Sequence, residues 1–528
     1  MSALPSNSPI QCLDFDLLWC IVKMNANMFE DDKALEITLA TSRVCRNWRS
    51  SMLGMPSIWA HLIDLDRLHC RTVAFRCEII RRSGTALLWM KARGCINHHR
   101  HTMRYHRRIG TNSRTDRIRC VKYVLGMIDE HWSQIQRLEA SMCFSEDVNP
   151  NQWGPLYLPA PHLESLNLVF PAERNIKHAV LALVGGRAPM RVLRYRGHIS
   201  HLTAPWLHQL HTMILDTTLT VYETLGILTL TENLVVFELT QIVADLTTLP
   251  LPFVSLPNLT HLRMSLNTNL NPGAVLLYHI RIHPACSLIF SAYSIHPRDM
   301  VHKSTLRSII RDIFPFIRSY FAHHAPRKIS LTYSDSSFVL LDRTDKATSI
   351  FSMSAAEVFP PHALPILLSE FTLCTLSKVA DFKFTFLGVD RPVPEFTTFT
   401  ARLPSVEIIS TDILSLHLTR AQEALKTADM GRIAFPALRT LKLGSRLPTL
   451  FDTVSDPISE FVMTRIAHGY AIDTIDFTSG FLSFLPNMVF INEADGLKVL
   501  WRQKGVAYVL EYICGVDEAR GPENLLFV

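Results

Sequence analysis

The chain lacks the thiol spacings of a metal site or a redox pair. Its 11 cysteines include no CxxC pair, and eight of them fall between Cys12 and Cys143. An odd number so distributed argues against a disulfide framework and for reduced, mostly packed thiols. Long apolar runs are missing as well: none reaches the eighteen or so residues that a membrane span requires. Met1 to Pro9 has neither a basic n-region nor an apolar h-region, so no secretory signal is expected there. Charge is sparse, at 19% of residues against 48% hydrophobic, with a mean hydropathy of +0.15. Such a chain can bury a core and is not a disordered one. These absences together suggest a protein of the cytoplasm or the nucleus, with no membrane partner.

Catalytic signatures are missing too. There is no P-loop, GxGxxG, HExxH or GxSxG sequence. Carboxylates are scattered, and no spacing pairs a nucleophile with a base. We therefore expect no enzymatic activity, no catalytic residue, no metal and no cofactor.

What positive charge there is lies in one place. Between Lys91 and Lys122 there are ten Lys/Arg (91, 93, 100, 104, 107, 108, 114, 117, 119 and 122) against Asp116. Removing that segment's +9 from the chain's +6 leaves −3 elsewhere. His98, His99, His101 and His106 accompany it, without a cysteine or carboxylate at ligand spacing. Tyr105 is the single aromatic among the central cations, so the interleaved aromatics of a strand binder are missing and nucleic acid is not the expected partner. The segment reads as a solvated insertion between two subdomains.

The stretch from Leu13 to Trp59 is the most informative. Leu13, Leu17, Leu18, Ile21 and Val22 fall on one helical face, with Asp14 and Asp16 in the first turn, where the helix dipole favours them. Asn25 to Asp32 is polar and reads as a connection. Ala40, Val44, Trp48 and Met52 form a second line at spacing four, which Pro56 ends. Two or three short helices cannot by themselves bury this many aliphatics and tryptophans, so some of this surface must meet another chain or the rest of this one.

These residues resemble an F-box. In its first half the family has a leucine, then an acidic residue, two aliphatics and, further on, an aliphatic pair; this chain has Leu13, Asp16, Leu17, Leu18, Ile21 and Val22 there. In its second half Leu39, Ser42, Val44, Cys45, Arg46 and Trp48 match, followed by Pro56, Ile58 and Trp59. Asp14 stands where the family has proline. The phrase Arg81-Arg82-Ser83-Gly84, followed by an expected strand, is similar to one that follows the F-box in large fungal families. The resemblance covers roughly the first ninety residues. It implies a module that docks the Skp-type adaptor, and through it a cullin, of an SCF (Skp–cullin–F-box) ubiquitin ligase. Leu13, Leu17, Leu18, Ile21, Val44, Trp48, Ile58 and Trp59 would supply the apolar contact or support its shape.

Downstream the chain repeats loosely. Pro161-His162-Leu163-Glu164-Ser165-Leu166-Asn167-Leu168, Pro257-Asn258-Leu259-Thr260-His261-Leu262-Arg263-Met264 and Pro436-Ala437-Leu438-Arg439-Thr440-Leu441-Lys442-Leu443 share one template. Weaker copies begin at Ile135, Met190, Leu210, Leu234, Val406, Ile472 and Leu497, the last as Leu497/Leu500. Starts from Ile135 to Leu259 are 28, 27, 20, 24 and 25 residues apart, and those from Val406 onward 32, 34 and 25. Such periods fit a solenoid like that of leucine-rich repeats, with units of about 20–29 residues. In each unit one short strand turns apolar residues inward and polar ones to an exposed face. The rhythm breaks at about 271–402. There Ser304 to Ala325 reads as a helix, and Lys328–Thr332, Phe338–Leu341 and Phe382–Leu387 read as strands.

The expected fold is therefore α/β: a short three-helix module at 10–66, a connecting segment with the basic insertion at 67–134, and an irregular solenoid with a parallel sheet at 135–528. In this register the exposed strand positions are Ser165, Asn167, Arg194, Arg196, Asp216, Glu238, His261, Arg263, Lys442, Thr474 and Asp476. A substrate receptor would hold its target protein there. The alternative is a repeat scaffold whose F-box-like segment no longer binds the adaptor and only caps the solenoid. The apolar tail Leu525–Val528 could cap the other end.

Overall fold

The computed structural model describes residues 15–93, 114–141, 154–156, 158–169, 188–197, 204–244, 250–267, 269–295, 303–344, 348–355, 359–388, 393–416, 433–444, 457–479, 493–502 and 508–516. The chain divides into two compact units. The first runs to Thr240 and adds Val254–Asn258; the second takes Gln241–Phe253 and everything from Leu259 on. The division falls inside the segment read from sequence as one repeat array. Both units are α/β and built on mostly parallel strands.

The first unit opens with α1 (Phe15–Asn25), α2 (Ala34–Thr41), α3 (Arg46–Leu53) and α4 (Pro56–Ala60). The Ala40–Val44–Trp48–Met52 line, expected as one helix, is broken. Thr41 and Ser42 turn their hydroxyls onto the carbonyls of Ile37 and Leu39 at 2.8 and 2.7 Å, and such local bonds compete with helix continuation. Cys45 then sits extended as the cap of α3, its Sγ accepting from the Trp48 amide at 3.4 Å. Pro56 occupies the first turn of α4, where its missing N–H costs nothing. The indole N–H of Trp59 donates to the Met52 carbonyl at 2.8 Å and ties α4 to α3.

Strands β1 (Ile63–Asp64) and β2 (Leu88–Ala92) follow, separated by α5 (Leu65–His69) and α6 (Val73–Ser83). After α7 (Arg114–His131) come β3 (Ile135–Ser141), β4 (Ser165–Val169), β5 (Val192–Arg196) and β6 (Thr212–Thr220). β1 to β6 lie side by side in chain order, all parallel. The ladder thus starts at Ile63, within the stretch assigned to the helical module, and not near Ile135. After a shift between Leu88 and Trp89 its register is uniform from β2 to β6. Met90, Leu138, Leu166, Leu193 and Met213 form one inward row, and Ala92, Ala140, Leu168, Tyr195 and Leu215 another; all are buried. One carbonyl per copy joins it to the next. Glu164 accepts from the amides of Arg191 and Val192, Arg191 from His211 and Thr212, and His211 from Val235 and Val236, all at 2.8–3.0 Å. A parallel ladder must be stitched by such long-range bonds, because consecutive strands are not joined by tight turns. Helix α8 (Val221–Leu228) starts with a reciprocal cap between Thr220 and Glu223. β7 (Val236–Val243) and β8 (Val254–Leu256) follow it.

The second unit contains β9 (His261–Asn267), α9 (Asn271–His279), β10 (Ile280–Ile282), β11 (Ser287–Ile295), α10 (Lys303–His324), β12 (Lys328–Ser334), β13 (Ser337–Asp342) and β14 (Thr348–Ala355). It continues with α11 (Ala363–Phe371), β15 (Asp381–Phe386), α12 (Pro394–Thr400), β16 (Ile408–Thr411), β17 (Thr440–Leu443), α13 (Pro457–Ala467), β18 (Thr474–Asp476), β19 (Lys498–Trp501) and β20 (Leu510–Ile513). The strand order is β9–β11–β14–β13–β12–β15–β16–β17–β18–β19–β20. The broken rhythm has a topological cause. β12, β13 and β14 form an antiparallel meander spliced between parallel neighbours, with β14 on β11 and β12 on β15. Beyond it the carbonyl stitch resumes at Arg327, Ala380, Glu407 and Arg439.

The core of this unit is aromatic. Phe351 stacks on Phe290 at 5.5 Å and meets Phe314, Phe338 and Phe371 at 5.9, 5.9 and 6.2 Å. Phe314 comes from α10, whose Leu306, Ile309, Ile310, Ile313, Ile317 and Phe321 are buried with it. One copy is out of the expected register: Val499, not Leu500, pairs with the inward Ile475, and Leu500 is half-exposed. Among the described residues no helix is long and apolar enough to cross a membrane.

Candidate docking surfaces

The face expected on α1 is in fact two faces. Leu18 and Val22 are 3% and 2% exposed and belong to the core, whereas Leu17 and Met24 are 57% and 71% exposed. Ile21 and Cys20 are exposed as well. Residues 17, 20, 21 and 24 follow the i, i+3, i+4, i+7 spacing of one helical stripe. α1 therefore carries a second apolar stripe in solvent, which a folded single chain has no reason to keep for its own core. Trp19 lies half-buried beneath the ammonium of Lys23, 4.4 Å above its ring.

The other residues expected to contact an adaptor divide in the same way. Val44 and Cys45 are exposed and Trp48 is half-buried. Ile58 and Trp59 are fully buried and shape the module from within. The guanidinium of Arg82 covers the Trp59 ring at 4.6 Å and is held by Glu78 at 2.8 Å. Bonds from Arg81 and Arg82 pull the Glu78 carboxyl down to about 2. Leu13 and Asp14 lie outside the described residues, as does the tail Leu525–Val528.

The helical module is latched to the sheet. Lys91, first in the basic run, is not in a solvated insertion: it is 3% exposed on β2. Its Nζ donates to the Met28 carbonyl at 2.8 Å and to Asp32 in the turn after α1. That bond from Lys91 is the main cause holding the Asp32 carboxyl below its usual range. Asp64, buried nearby, is shifted up by desolvation. Arg93 grips Glu139 of β3 through two bonds, one of them 2.8 Å. Beside this latch Phe29, His61, Trp89 and Arg137 pile up. His61 stacks on Trp89 at 3.8 Å, and the Arg137 guanidinium sits 3.8 Å over Phe29 and 5.5 Å from Trp89. Burial, with Lys23 adding repulsion, pushes the His61 imidazole down to about 4. The alternation of Leu88, Trp89, Met90, Lys91 and Ala92 was the available sign that these residues form a strand. Residues 94–113, the middle of the basic run, lie outside the described residues.

The strands of each unit supply a further surface. Ser165, Asn167, Arg194, Arg196, Asp216 and Glu238 occupy outward strand positions of the first unit, with Arg194 and Arg196 exposed. Arg196 pairs with Asp216 at 3.1 Å, and Asp216 also accepts from Thr240 at 2.6 Å. In the second unit His261 and Arg263 are exposed, and Lys442 and Thr474 are half-buried. Asp476 departs from expectation: it is buried, because Thr478 and Lys442 close over it. Burial pushes its carboxyl up, but the Thr478 bonds and the Lys442 charge outweigh that and leave it lowered.

No protein-family model matches the chain, and no curated protein matches it. Among the described residues no cluster of three or more His, Cys, Asp or Glu is arranged to hold a metal ion. What the protein offers a partner is surface: an exposed apolar stripe on α1 and polar outward strand positions in each unit.

Proposed function

We propose that this protein is a non-catalytic substrate receptor of an SCF-type ubiquitin ligase. Its helical module would dock a Skp-type adaptor, and through it a cullin, while the outward sheet face holds a target protein. The observation that carries the reading is the stripe of Leu17, Cys20, Ile21 and Met24, left in solvent on a helix whose Leu18 and Val22 are buried. The latch through Lys91 and Met28 supports it, because a docking helix anchored to the target-holding sheet fixes the distance between the two partners. The gain is proximity: a tethered target presents its lysines to the ligase at high effective concentration. The protein would act in the cytoplasm or the nucleus.

The same latch favours one other reading, a repeat scaffold in which the helices serve as the cap of the sheet. A pull-down with purified adaptor separates the two. Capture by the native chain and its loss in a folded Leu17→Ala/Trp48→Ala variant supports the receptor. No capture by the native chain sinks it.

A further inference from the structure

The outward face of β3, β4 and β5 has a charge imbalance that the fold leaves unanswered. Register places Trp89, Arg137, Ser165 and Val192 in one outward row, and Lys91, Glu139, Asn167 and Arg194 in the next. Glu139 is already taken up by Nε and Nη2 of Arg93, and Asp216 by Arg196 and Thr240. Arg194 is exposed and, among the described residues, makes no hydrogen bond or ion pair. Arg137 uses its guanidinium on the Phe29 and Trp89 rings and makes no hydrogen bond among the described residues either. Between these two arginines runs β4, whose Ser165 and Asn167 are half-exposed and have no side-chain bond among the described residues. Burial, with the neighbouring charges of Arg194 and Arg93 adding to it, holds the Arg137 guanidinium below the usual arginine range, while Glu139 and Glu30 oppose this.

From this juxtaposition we infer that the β3–β5 face binds an extended, Asp/Glu-rich segment of a partner protein. Arg137 and Arg194 stand on strands two apart, roughly 10 Å across the sheet. Each would take one carboxylate, and the Ser165 hydroxyl and Asn167 amide of β4 lie between them for the segment's main chain. Arginine suits this because its planar fork accepts a carboxylate through two parallel bonds. A dianionic phosphate asks for cations converging on one point. Here the two arginines are separated, and the charges of Glu139 and Glu30 already act on Arg137. A nucleic-acid strand would need open aromatic faces to stack on, but Trp89 is covered by His61 and Phe29 by Arg137. The inference rests on the target-holding half of the proposed function and not on adaptor docking.

Fluorescence anisotropy of the full chain tests it with labelled extended peptides. The probes are an alternating Asp/Ser peptide, its Asn/Ser counterpart, a phosphoserine peptide with neutral residues between, and a short oligothymidylate. We expect saturable, salt-sensitive binding of the Asp/Ser peptide, at least tenfold weaker for Asn/Ser and at least tenfold weaker in Arg194→Gln. Arg194 is exposed, so this variant should keep the native circular dichroism and melting temperature. Arg194→Glu should gain affinity for a Lys/Ser peptide. No saturable binding of the Asp/Ser peptide, or equal binding by the native chain and Arg194→Gln, would overturn the inference. So would a tenfold preference for the phosphopeptide or the oligonucleotide. If adaptor capture persists while this binding fails, only the acidic-segment inference falls.

Discussion

The ammonium of Lys91, on the second strand of the sheet, donates to the main-chain oxygen of Met28 in the turn after the first helix, 2.8 Å away. A lysine that is 3% exposed is held there by hydrogen bonds and by the carboxylates of Asp32 and Asp64. Replacing it with methionine keeps the stem and removes the bonds. Lys91→Met should destabilise the first unit by about 1–3 kcal/mol, the cost of leaving buried polar groups unanswered. The readouts are thermal unfolding and amide exchange at Met28–Asp32. An unchanged melting temperature and unchanged exchange would show that the latch holds nothing.

His61 makes the same region sensitive to acid. Folded, its imidazole is pushed down to about 4 from an ordinary value of 6.5. Unfolded, it takes up a proton between pH 6.5 and 4 that the folded form refuses. Stability is therefore complete above pH 6.5 and falls as the pH drops toward 4. The ring is partly exposed, so solvent screening reduces the effect to about 1–2 kcal/mol. His61→Phe keeps the stack on Trp89 and should flatten the melting-temperature profile across that window; an undiminished slope would assign the loss to other groups.

The thiols should divide by burial. Desolvation pushes Cys286 and Cys374 up to about 12 and Cys514 up to about 11, while Cys20, Cys45, Cys70 and Cys77 are exposed. Brief iodoacetamide treatment of the native chain at pH 8, read by mass spectrometry, should label the exposed four and spare the buried three. Cys20 lies on the outward stripe of α1, so bound adaptor should protect it. Equal labelling of Cys20 with and without captured adaptor would place the contact elsewhere.

Phe351 is the hub of the second unit's aromatic core, with Phe290, Phe314, Phe338 and Phe371 around it. Phe351→Ala should cost about 3–5 kcal/mol, lost transfer energy plus an unfilled cavity. Urea unfolding followed by tryptophan fluorescence and circular dichroism checks this. A loss below about 1 kcal/mol would mean that the meander repacks freely.

Alternation along single strands was legible. Leu166 and Leu168 point inward and Ser165 and Asn167 outward, as the polar–apolar order requires, because side chains in a strand alternate with period two. The helix at Ser304–Ala325 could be found for a similar reason: its apolar residues recur with helical period and one face is buried. Leu500 was misplaced because a loose Leu-x-x-Leu pattern cannot distinguish a one-residue slip, which exchanges faces.

Periodicity thus determined which residues of this chain share a face, a local property fixed by backbone geometry. It did not decide what each face meets. That α1 keeps Leu18 and Val22 inside and turns Leu17, Ile21 and Met24 to solvent depends on α2 packing against one side of it. That Lys91 is a buried latch depends on β2 running beneath the turn at Met28–Asp32, residues about sixty positions away. The splice of β12–β14 into a parallel sheet, and the two arginines left unanswered around β4, also follow from strand neighbours brought together over long sequence separations. Only tertiary structure decides such pairings, because burial and charge compensation depend on every neighbour in space, while a sequence pattern records only the neighbours along the chain.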